Sequence, residues 1–311
     1  MRVVGVEEFG GPEALKVFEV PEPHAGPDEV RLRVHAATVN PTDTYTRNGA
    51  RAALLTSAPP PYVPGMDAAG VVDEVGPGTS GLAVGDRVMA IVIPNGGHGA
   101  YSEHLVLPAE SVVRMPAGTG FAEASTLPMN GLTARLSLDQ LALTPGQTLA
   151  VTGAAGCYGG YVVQLAKADG LRVIADASEA DEDLVRSLGA DVVVRRGPDV
   201  ASRILAACPG GVDALADGSV QNEQVYDAIR DGGGMATVRG FQGPAPRGIT
   251  LHQTWVRDYW KANDKLDRLR EQVEAGAVTL RVARTFTAAD AAEAHRLLQA
   301  GGTRGRLVIE F

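Results

Sequence analysis

A run of small residues in the middle of the chain has the composition of a phosphate-binding turn. Residues 148–152 predict a short buried strand, and residues 161–166 predict the body of a helix. Between them, Gly153 permits a tight turn, Gly156 lets the backbone approach a pyrophosphate, and Gly159 allows the helix to pack closely on the strand. The start of such a helix offers N–H groups and the positive end of its dipole to a phosphate. Taken alone, the pattern fits a phosphate site and a merely tight strand-to-helix turn equally well.

Three further residues of this turn are candidates for contact with a bound dinucleotide. Ala154, Cys157 and Tyr158 lie between the glycines, so their backbone would face the same phosphates. We interpret Cys157 as a small packing residue and not as a nucleophile.

Composition describes an ordinary globular protein and excludes several other classes. The 311 residues are enough for two domains with separate cores, and 45% of them are hydrophobic and 21% charged. A net charge of −9 argues against a general nucleic-acid or anionic-membrane surface, because such binding needs clustered Lys and Arg. The 2 cysteines exclude a disulfide framework and a cysteine-rich zinc site, and no apolar run approaches the ~18 residues of a membrane span. We therefore expect a soluble protein of the reducing cytoplasm.

The elements around the glycine turn predict the fold that positions it. Residues 1–118 contain short β patterns broken by Gly and Pro, which predict a β-rich domain without a long helix. From about residue 121, strands and helices alternate, and this order predicts an α/β fold with a doubly wound parallel sheet. Besides 148–152, the predicted strands of this part are 171–175, 191–194, 212–216, 235–238, 249–256 and 306–311. The predicted helices after the turn are 181–188, 200–207, 223–230, 258–275 and 288–300.

Short segments along almost the whole chain resemble the zinc-independent quinone oxidoreductases of the medium-chain dehydrogenase/reductase superfamily. Residues 39–49 are predicted to be a loop, and within it residues 40–49 match the Asn-Pro-x-Asp-x-Tyr-x-Arg-x-Gly segment of that family. The other matching segments are 64–72, 75–76, 85–88, 99–103, 131–134, 153–159, 291–294 and 305–308. Because these segments are collinear, together they are far more specific than the glycine turn alone.

The resemblance implies two domains. A GroES-like β-rich catalytic domain would be built from residues 1–120 and 257–311, and a Rossmann dinucleotide-binding domain would be inserted at 121–256. The cofactor and a small-molecule substrate would lie between the two domains. The Ala- and Pro-rich segment 51–62 would shape the substrate pocket, although its sequence does not identify the acceptor.

A homodimer is also implied by the resemblance. The apolar residues near the edge strand 249–256 could continue the sheet into a second subunit. His252 and Gln253 interrupt that apolar edge.

The residues at the zinc positions of the superfamily predict that no metal is bound. Zinc-dependent members have Cys where Asn40 stands and Gly-His-Glu where residues 65–67 read Gly-Met-Asp. His98 and His104, on either side of Glu103, are the nearest pair of histidines. A catalytic zinc normally has three protein ligands, so we interpret them as surface or packing residues.

Without a Lewis acid, an acceptor that delocalises negative charge is favoured. Hydride from the reduced nicotinamide would reach a quinone, or the β-carbon of an enone, and hydrogen-bond donors would stabilise the charge that develops on oxygen. The resemblance places Asn40 and Tyr45 beside the nicotinamide and the substrate, as candidate catalytic donors. The alternative is that Asn40 only holds its loop and Tyr45 only forms an apolar wall.

Two further residues match family positions near the nicotinamide. Thr133 would approach that end of the cofactor, and its alternative is a helix-interior hydroxyl bonded to its own backbone. Gly240 would pass close to the nicotinamide ring. The alternative is that it only allows the chain to turn at this point.

The identity of the dinucleotide depends on a second group of residues. Asp176 is one residue short of the usual ribose-binding acid, whereas Ser178 and Arg196 match positions that meet the 2′-phosphate of NADPH in relatives. Arginine offers a planar fork that suits a phosphate, although Arg196 could also be a solvated strand end. Glu182 stands where such relatives have Lys and would repel the phosphate. We therefore predict NADPH as cofactor, with NADH as the alternative.

These observations predict a zinc-independent, NADPH-dependent reductase of quinones or of alkenes conjugated to a carbonyl. A close variant is an enoyl or alkenal reductase for a specialised metabolite. A different class is a non-catalytic dinucleotide-binding protein with a structural or regulatory role.

Overall fold

The computed structural model describes residues 1–55 and 58–311, with the backbone alone at Leu54. Within them the chain divides into two units, one made of Met1–Met129, Arg257–Glu274 and Leu280–Phe311, the other of Asn130–Val256 and Ala275–Thr279. We call them the first and the second unit. This division assigns residues 121–129 and 275–279 differently from the sequence-based boundaries. Residues 56 and 57 of the expected pocket segment lie outside the described residues.

The strands and helices are numbered in chain order. The strands are β1 (Arg2–Gly5), β2 (Lys16–Glu19), β3 (Glu29–Thr38), β4 (Asp67–Val75), β5 (Arg87–Ile91), β6 (His104–Pro108), β7 (Val112–Arg114), β8 (Thr148–Thr152), β9 (Arg172–Ala177), β10 (Val192–Arg195), β11 (Val212–Asp217), β12 (Ile229–Thr237), β13 (Thr250–Gln253), β14 (Val282–Thr287) and β15 (Arg306–Glu310). The helices are α1 (Pro41–Asn48), α2 (Ala52–Leu55), α3 (Phe121–Ala124), α4 (Pro128–Leu141), α5 (Cys157–Ala168), α6 (Glu182–Ser187), α7 (Val200–Ala207), α8 (Asn263–Glu274) and α9 (Ala291–Ala300).

The first unit is organised around the long strand β3. Val30, Leu32 and Val34 are buried and alternate with the more exposed Arg31 and Arg33, which is the period-two pattern of a half-buried strand. Among the described residues, the main sheet has the order β14-β15-β3-β4-β5-β7, and β6 also pairs with β3. The neighbours of β3 are all antiparallel to it. One of them, β15, comes from the far end of the chain.

The second unit is built on a parallel sheet. Its strands, within the described residues, have the order β10-β9-β8-β11-β12-β13, and every pairing is parallel. The central strand β8 is buried at all its positions, as expected for a strand covered on both faces. The α/β fold class predicted from the sequence is confirmed, with a β-rich unit and a unit with a parallel sheet of the doubly wound type.

One segment expected to be a loop is a helix. Residues 41–48 form α1, which begins after Asn40 and ends at Gly49, where φ is +80°. Pro41 at the first helical position suits a helix start, and the Asp43 carboxylate accepts a hydrogen bond from Asn40 N at 2.8 Å. A helix this short shows no clear apolar period in its sequence, which explains the error.

Three predicted elements of the later chain are also corrected. The predicted helix 223–230 is a 3₁₀ segment, Asn222–Ala228, and β12 begins directly after it. The predicted helix 258–275 starts only at Asn263, because turns precede it. The predicted strand 249–256 is shortened to Thr250–Gln253, since the chain turns into a 3₁₀ segment at Val256.

In the part of the chain that the structure describes, no helix combines the length and the apolar character needed to cross a membrane.

Candidate active site

Asn40 lies at the start of α1 and is completely buried. Its Nδ2 donates to Thr38 O at 3.2 Å and to Asp67 Oδ2 at 2.8 Å, and its Oδ1 accepts a short hydrogen bond from the guanidinium of Arg306. Every polar atom of the Asn40 side chain is therefore engaged within the first unit.

The carboxylate of Asp67 is the acceptor shared by this group of residues. Asp67 is fully buried at the start of β4 and lies 3.4 Å from the guanidinium of Arg306, which is 5% exposed. Its other oxygen accepts a hydrogen bond from Met129 N at 2.6 Å, in the first turn of α4. Burial raises the pKa of Asp67, while the charge of Arg306 and the hydrogen bond from Asn40 oppose that rise.

A second buried polar chain begins at Asp43 in α1. Asp43 Oδ2 accepts a hydrogen bond from the hydroxyl of Tyr101 at 3.0 Å, and Oδ1 accepts one from Gly65 N at 3.2 Å. Because the single hydroxyl proton of Tyr101 is used in this way, its oxygen accepts from His295 Nε2 at 3.1 Å. His295 Nδ1 then accepts from Arg47 at 3.2 Å. This directionality requires a neutral imidazole protonated at Nε2.

The pKa values of this chain agree with its burial. Burial, with Arg47 adding to it, lowers the pKa of His295 to about 3, so the ring is neutral. Burial raises the pKa of Asp43 to about 7, against the opposing effect of hydrogen bonds from Asn40 and Tyr101. No role was predicted from the sequence for Tyr101, His295, Asp67 or Arg306. Arg306 could have been noticed in the sequence as a charged residue directly before the apolar residues Leu307, Val308 and Ile309 of β15.

Tyr45 also lies on α1 and is partly exposed. The Cζ atom of Arg51 lies 5.6 Å from the centroid of its ring. Among the described residues, the Tyr45 hydroxyl has no hydrogen-bond partner. Asn40 and Tyr45 are thus on one helix, but only Tyr45 has a polar atom that is not already used.

In the second unit, the glycine turn joins β8 to α5, and the backbone of the turn packs closely against the start of the helix. Gly153 has φ of +68°, a region that favours glycine. A Cβ atom on Gly159 would lie 2.4 Å from Gly153 O, so the helix approaches the turn as closely as backbone allows. Gly156 is the N-cap of α5 and has no side chain that could cap the helix. The turn therefore has the shape and polarity required for a pyrophosphate.

Asp176 supports this turn from the neighbouring strand β9. Its side chain is 2% exposed, and Oδ1 accepts a hydrogen bond from Ala154 N at 3.2 Å. Its Oδ2 has no partner among the described residues. Burial raises the pKa of Asp176, while hydrogen bonds from Ala154 and Gly153 and the charge of Arg196 oppose the shift.

The side chains of the turn and of α4 are linked to each other. The hydroxyl of Tyr158 lies 2.8 Å from Ser137 Oγ, which also donates to Thr133 O at 3.0 Å. The Tyr158 ring is directed to α4, so only its backbone is available to phosphates. Thr133 is buried, and Cys157 is partly exposed and is not in a disulfide.

The residues predicted to choose between the dinucleotides lie after β9 and β10. The Ser178 hydroxyl donates to the buried carboxylate of Asp181 at 2.5 Å. Arg196 is exposed, and its guanidinium has no partner among the described residues. Its neighbour Arg195 pairs with Glu179 at 3.4 Å.

Gly240 follows the end of β12, with φ of +74°. A Cβ atom there would lie 2.8 Å from the indole of Trp255, which is 44% exposed. The close approach of the indole accounts for glycine at this position.

The structure brings no group of three or more His, Cys, Asp or Glu side chains into metal-binding geometry within residues 1–55 and 58–311. His104 instead lies 3.4 Å from Asp73.

A GroES-like β unit and a parallel-sheet unit with a glycine turn define the class of medium-chain dehydrogenases/reductases. The family of the alcohol dehydrogenase GroES-like domain matches residues 26–117, and the family described as zinc-binding dehydrogenase matches residues 188–309.

Individual relatives extend this match over nearly the whole chain. The chain is 31% identical to a 2-haloacrylate reductase of Burkholderia sp, over 98% of this chain and 97% of the relative. It is also 31% identical to a quinone oxidoreductase of Pseudomonas aeruginosa, over 97% of each chain. The solved quinone oxidoreductase of Coxiella burnetii superimposes with a TM-score of 0.84 at 27% identity, covering 100% of this chain and 99% of the other. The chain belongs to the medium-chain dehydrogenase/reductase superfamily, in its quinone oxidoreductase family. It is an oxidoreductase with a Rossmann-type domain for a nicotinamide cofactor.

Arg306→Met should strongly destabilise the protein, because it leaves the buried carboxylate of Asp67 without its cation. The expected loss in free energy of unfolding is about 3–5 kcal/mol, measured by urea denaturation. Adding Asp67→Asn should recover part of that loss. Arg268→Met is the control, since Arg268 pairs with Glu271 at the surface and should cost at most about 1 kcal/mol. An Arg306→Met variant as stable as this control would contradict the prediction.

Asp43→Asn should change how stability depends on pH. The pKa of Asp43 is about 7 in the folded protein, above the usual 3.8. Between these values the folded state binds a proton that the unfolded chain has lost, so the contribution of Asp43 is present below the unfolded pKa and is lost as pH rises to about 7. The free energy of unfolding of the wild type minus that of the variant should therefore fall with rising pH. Urea titrations from about pH 4.5 to about pH 8 test this, with the exposed Asp231→Asn as control. A difference that is constant or grows with pH would refute it.

Proposed function

We propose that the protein is a reductase that transfers hydride from a reduced nicotinamide cofactor to a quinone or to an alkene conjugated to a carbonyl group. The observation that carries the proposal is the set of bonds made by Asn40 and Asp67. Their polar atoms are engaged with Arg306, Thr38 and Met129, so they do not form an open set of metal ligands. An acceptor that delocalises charge needs only hydrogen-bond donors at its oxygen. The names of the relatives from Burkholderia and Pseudomonas agree with this class of acceptor.

The bound cofactor would supply the hydride, and the chain's residues would bind and orient it. We assign the pyrophosphate to the backbone of Gly153, Ala154, Gly156, Cys157, Tyr158 and Gly159, at the positive end of α5. The side chain of Asp176 would hold this turn in shape through Ala154. Thr133 and Gly240 are assigned to the nicotinamide end.

Tyr45 is our candidate for the catalytic donor at the acceptor oxygen. Its hydroxyl is on a partly exposed side chain, and Arg51 lies over its ring. Asn40 is assigned a positioning role, because its amide is completely used in holding the start of α1. The catalytic region predicted around Asn40 and Tyr45 is therefore retained in the proposal. Its two polar residues have different roles, because Tyr45 is the donor and Asn40 positions the start of α1.

We propose NADPH as the cofactor, with Arg196 as the 2′-phosphate ligand. The exposed guanidinium of Arg196 supports this assignment, because among the described residues it forms no direct ion pair and acts only through its charge on Asp176. The hydrogen bond from Ser178 to Asp181 favours NADH instead. The Ser178 hydroxyl already donates its proton to the buried carboxylate of Asp181, and that carboxylate would repel a phosphate. We retain NADH as the alternative for this reason.

We further propose a cytoplasmic homodimer. The two cysteines of the sequence, Cys157 and Cys208, do not form a disulfide, which suits a reducing compartment. Among the described residues, the edge strand β13 pairs on one side only, with β12, which leaves an edge able to pair with a second subunit.

Tyr45→Phe should lower kcat/KM for quinones and enones by about 10- to 100-fold, because the variant loses the hydrogen bond to the developing oxyanion. NADPH oxidation with 1,4-benzoquinone, 9,10-phenanthrenequinone and a panel of enals and enones measures the effect. Tyr226→Phe is the control, since its buried hydroxyl has no partner in the described second unit. Unchanged turnover in Tyr45→Phe would show that Tyr45 only forms an apolar wall and is not a hydrogen-bond donor. Tight cofactor binding by the wild type without turnover on any acceptor would instead support a non-catalytic protein.

Arg196→Ala should lower the ratio of kcat/KM for NADPH to that for NADH by about 10-fold or more, because it removes a charge-assisted hydrogen bond to the 2′-phosphate. The control is Arg268→Ala, an exposed arginine of the first unit that is paired with Glu271. A wild-type preference for NADH would refute the assignment of Arg196.

A further inference from the structure

Trp255 has the only exposed aromatic side chain in the described part of the second unit. It is 44% exposed and follows directly after the end of the turn at Thr254. A Cβ atom on Gly240 would lie 2.8 Å from Cζ2 and 3.0 Å from Cη2 of the indole. On the other ring, Nε1 donates to Gln253 Oε1 at 3.4 Å. The indole is therefore held in contact with Gly240, although much of its surface is exposed.

The residue before Trp255 anchors this part of the backbone. Thr254 is 5% exposed, and its N–H donates to Thr237 O at 2.9 Å, at the end of β12. The Thr254 hydroxyl lies 3.1 Å from Ser137 Oγ on α4. The same helix carries Thr133, which is assigned to the nicotinamide end of the cofactor. Trp255 and Thr133 therefore share one support within the second unit.

The strand order indicates which half of a dinucleotide would lie beside Trp255. The order β10-β9-β8-β11-β12-β13 has the form 3-2-1-4-5-6, in which the two mononucleotide-binding halves meet between β8 and β11. The residues assigned to the adenosine end follow β9 and β10, so the nicotinamide would lie on the side of β11, β12 and β13. Because the strands are parallel, the segments after β12 and β13 leave the sheet at the same edge as the glycine turn. Gly240 and Trp255 belong to these two segments.

We propose that the indole of Trp255 contacts the nicotinamide ring and stabilises the positive charge of its oxidised form. The proposal rests on the reductase function given above and adds a residue that responds to the redox state of the cofactor. In that reaction, hydride leaves with its electron pair for the acceptor, and a neutral dihydropyridine ring becomes a pyridinium cation. The face of Trp attracts a cation within about 6 Å more strongly than the face of Tyr or Phe does.

A contact of this kind acts unequally on the two forms of the cofactor. The indole would bind the oxidised form more tightly than the reduced form, and it would also stabilise the transition state, in which part of the charge has formed. A residue that only shaped the pocket would hold both forms alike. The contact with Gly240 directs the indole to the segment after β12, whereas the edge proposed for the second subunit is the opposite side of β13.

Dissociation constants of NADP⁺ and NADPH, measured by calorimetry, test the charge dependence. The ratio of the NADP⁺ constant to the NADPH constant should rise by about 3- to 30-fold in Trp255→Leu and by less in Trp255→Phe. Trp260→Leu is the control, since Trp260 lies in the first unit with Lys261 Nζ 5.0 Å from its ring centroid, and it should leave the ratio unchanged. Binding of 2′-phospho-ADP-ribose, which lacks the nicotinamide, should be the same in Trp255→Leu and wild type. If NADH is the cofactor, NAD⁺, NADH and ADP-ribose take the places of these ligands.

Fluorescence gives a second readout that needs no turnover. The chain has 2 tryptophans, so Trp260→Leu leaves Trp255 as the single emitter. NADP⁺ should quench its emission, and 2′-phospho-ADP-ribose should leave the emission nearly unchanged. An unchanged ratio of dissociation constants in Trp255→Leu, or emission that NADP⁺ does not quench, would overturn the proposal. If Trp255→Leu does not fold, the ratio in Trp255→Phe and the quenching decide the question.

The outcomes also separate this proposal from the reductase function. Reduction of quinones or enones with an unchanged ratio in Trp255→Leu would leave the reductase function intact and overturn the role of Trp255. A ratio that depends on Trp255, in a protein that reduces no acceptor, would keep the contact and overturn the reductase function. A change in subunit number in Trp255→Leu with an unchanged ratio would assign the indole to a subunit interface and overturn the proposal.

Discussion

The first unit depends on the interactions that the buried carboxylate of Asp67 makes. It accepts hydrogen bonds from Asn40 and Met129 and carries the ion pair with Arg306, so it joins the ends of three separate stretches of chain. A buried charge is tolerated only when it is paired and hydrogen-bonded, and here both conditions are met. This arrangement sets the position of α1, and therefore of Tyr45. The reason is that three hydrogen bonds hold the side chain of Asn40, directly before the helix begins.

The second unit depends on a different constraint, the absence of side chains. Gly153 and Gly159 approach so closely that the turn and helix α5 form one rigid support, and Asp176 ties Ala154 to the neighbouring strand. A turn that is already fixed loses little conformational entropy when a phosphate binds. The polar groups of the two units are therefore positioned by different means. The first unit uses a buried ion pair, and the second uses the close packing of glycines.

Much of this could be predicted from the sequence, and the rest could not for physical reasons. The strands β8, β9 and β11 are mostly apolar and are separated by turn residues, so their alternation with helices could be predicted. Helix α1 was missed because its start is defined by Pro41 and by the carboxylate of Asp43 and not by an apolar period. The role of Asn40 depends on Arg306, 266 residues away, and no local pattern reveals such a pair. Likewise, the hydrogen bond from Ser178 to Asp181 decides whether the hydroxyl is available, and residue type alone does not show it.

The distance along the chain between Asp67 and Arg306 also has a consequence for synthesis. Arg306 leaves the ribosome 239 residues after its partner, and the whole second unit is made in between. At the usual rates of translation, this interval is roughly 10–50 s. During that time, Asp67 and Asn40 lack their cation and β3 lacks its neighbour β15, whereas the parallel sheet of the second unit already has all its strands. The nascent first unit therefore exposes an unpaired strand edge to chaperones and to other chains until the final strand is made.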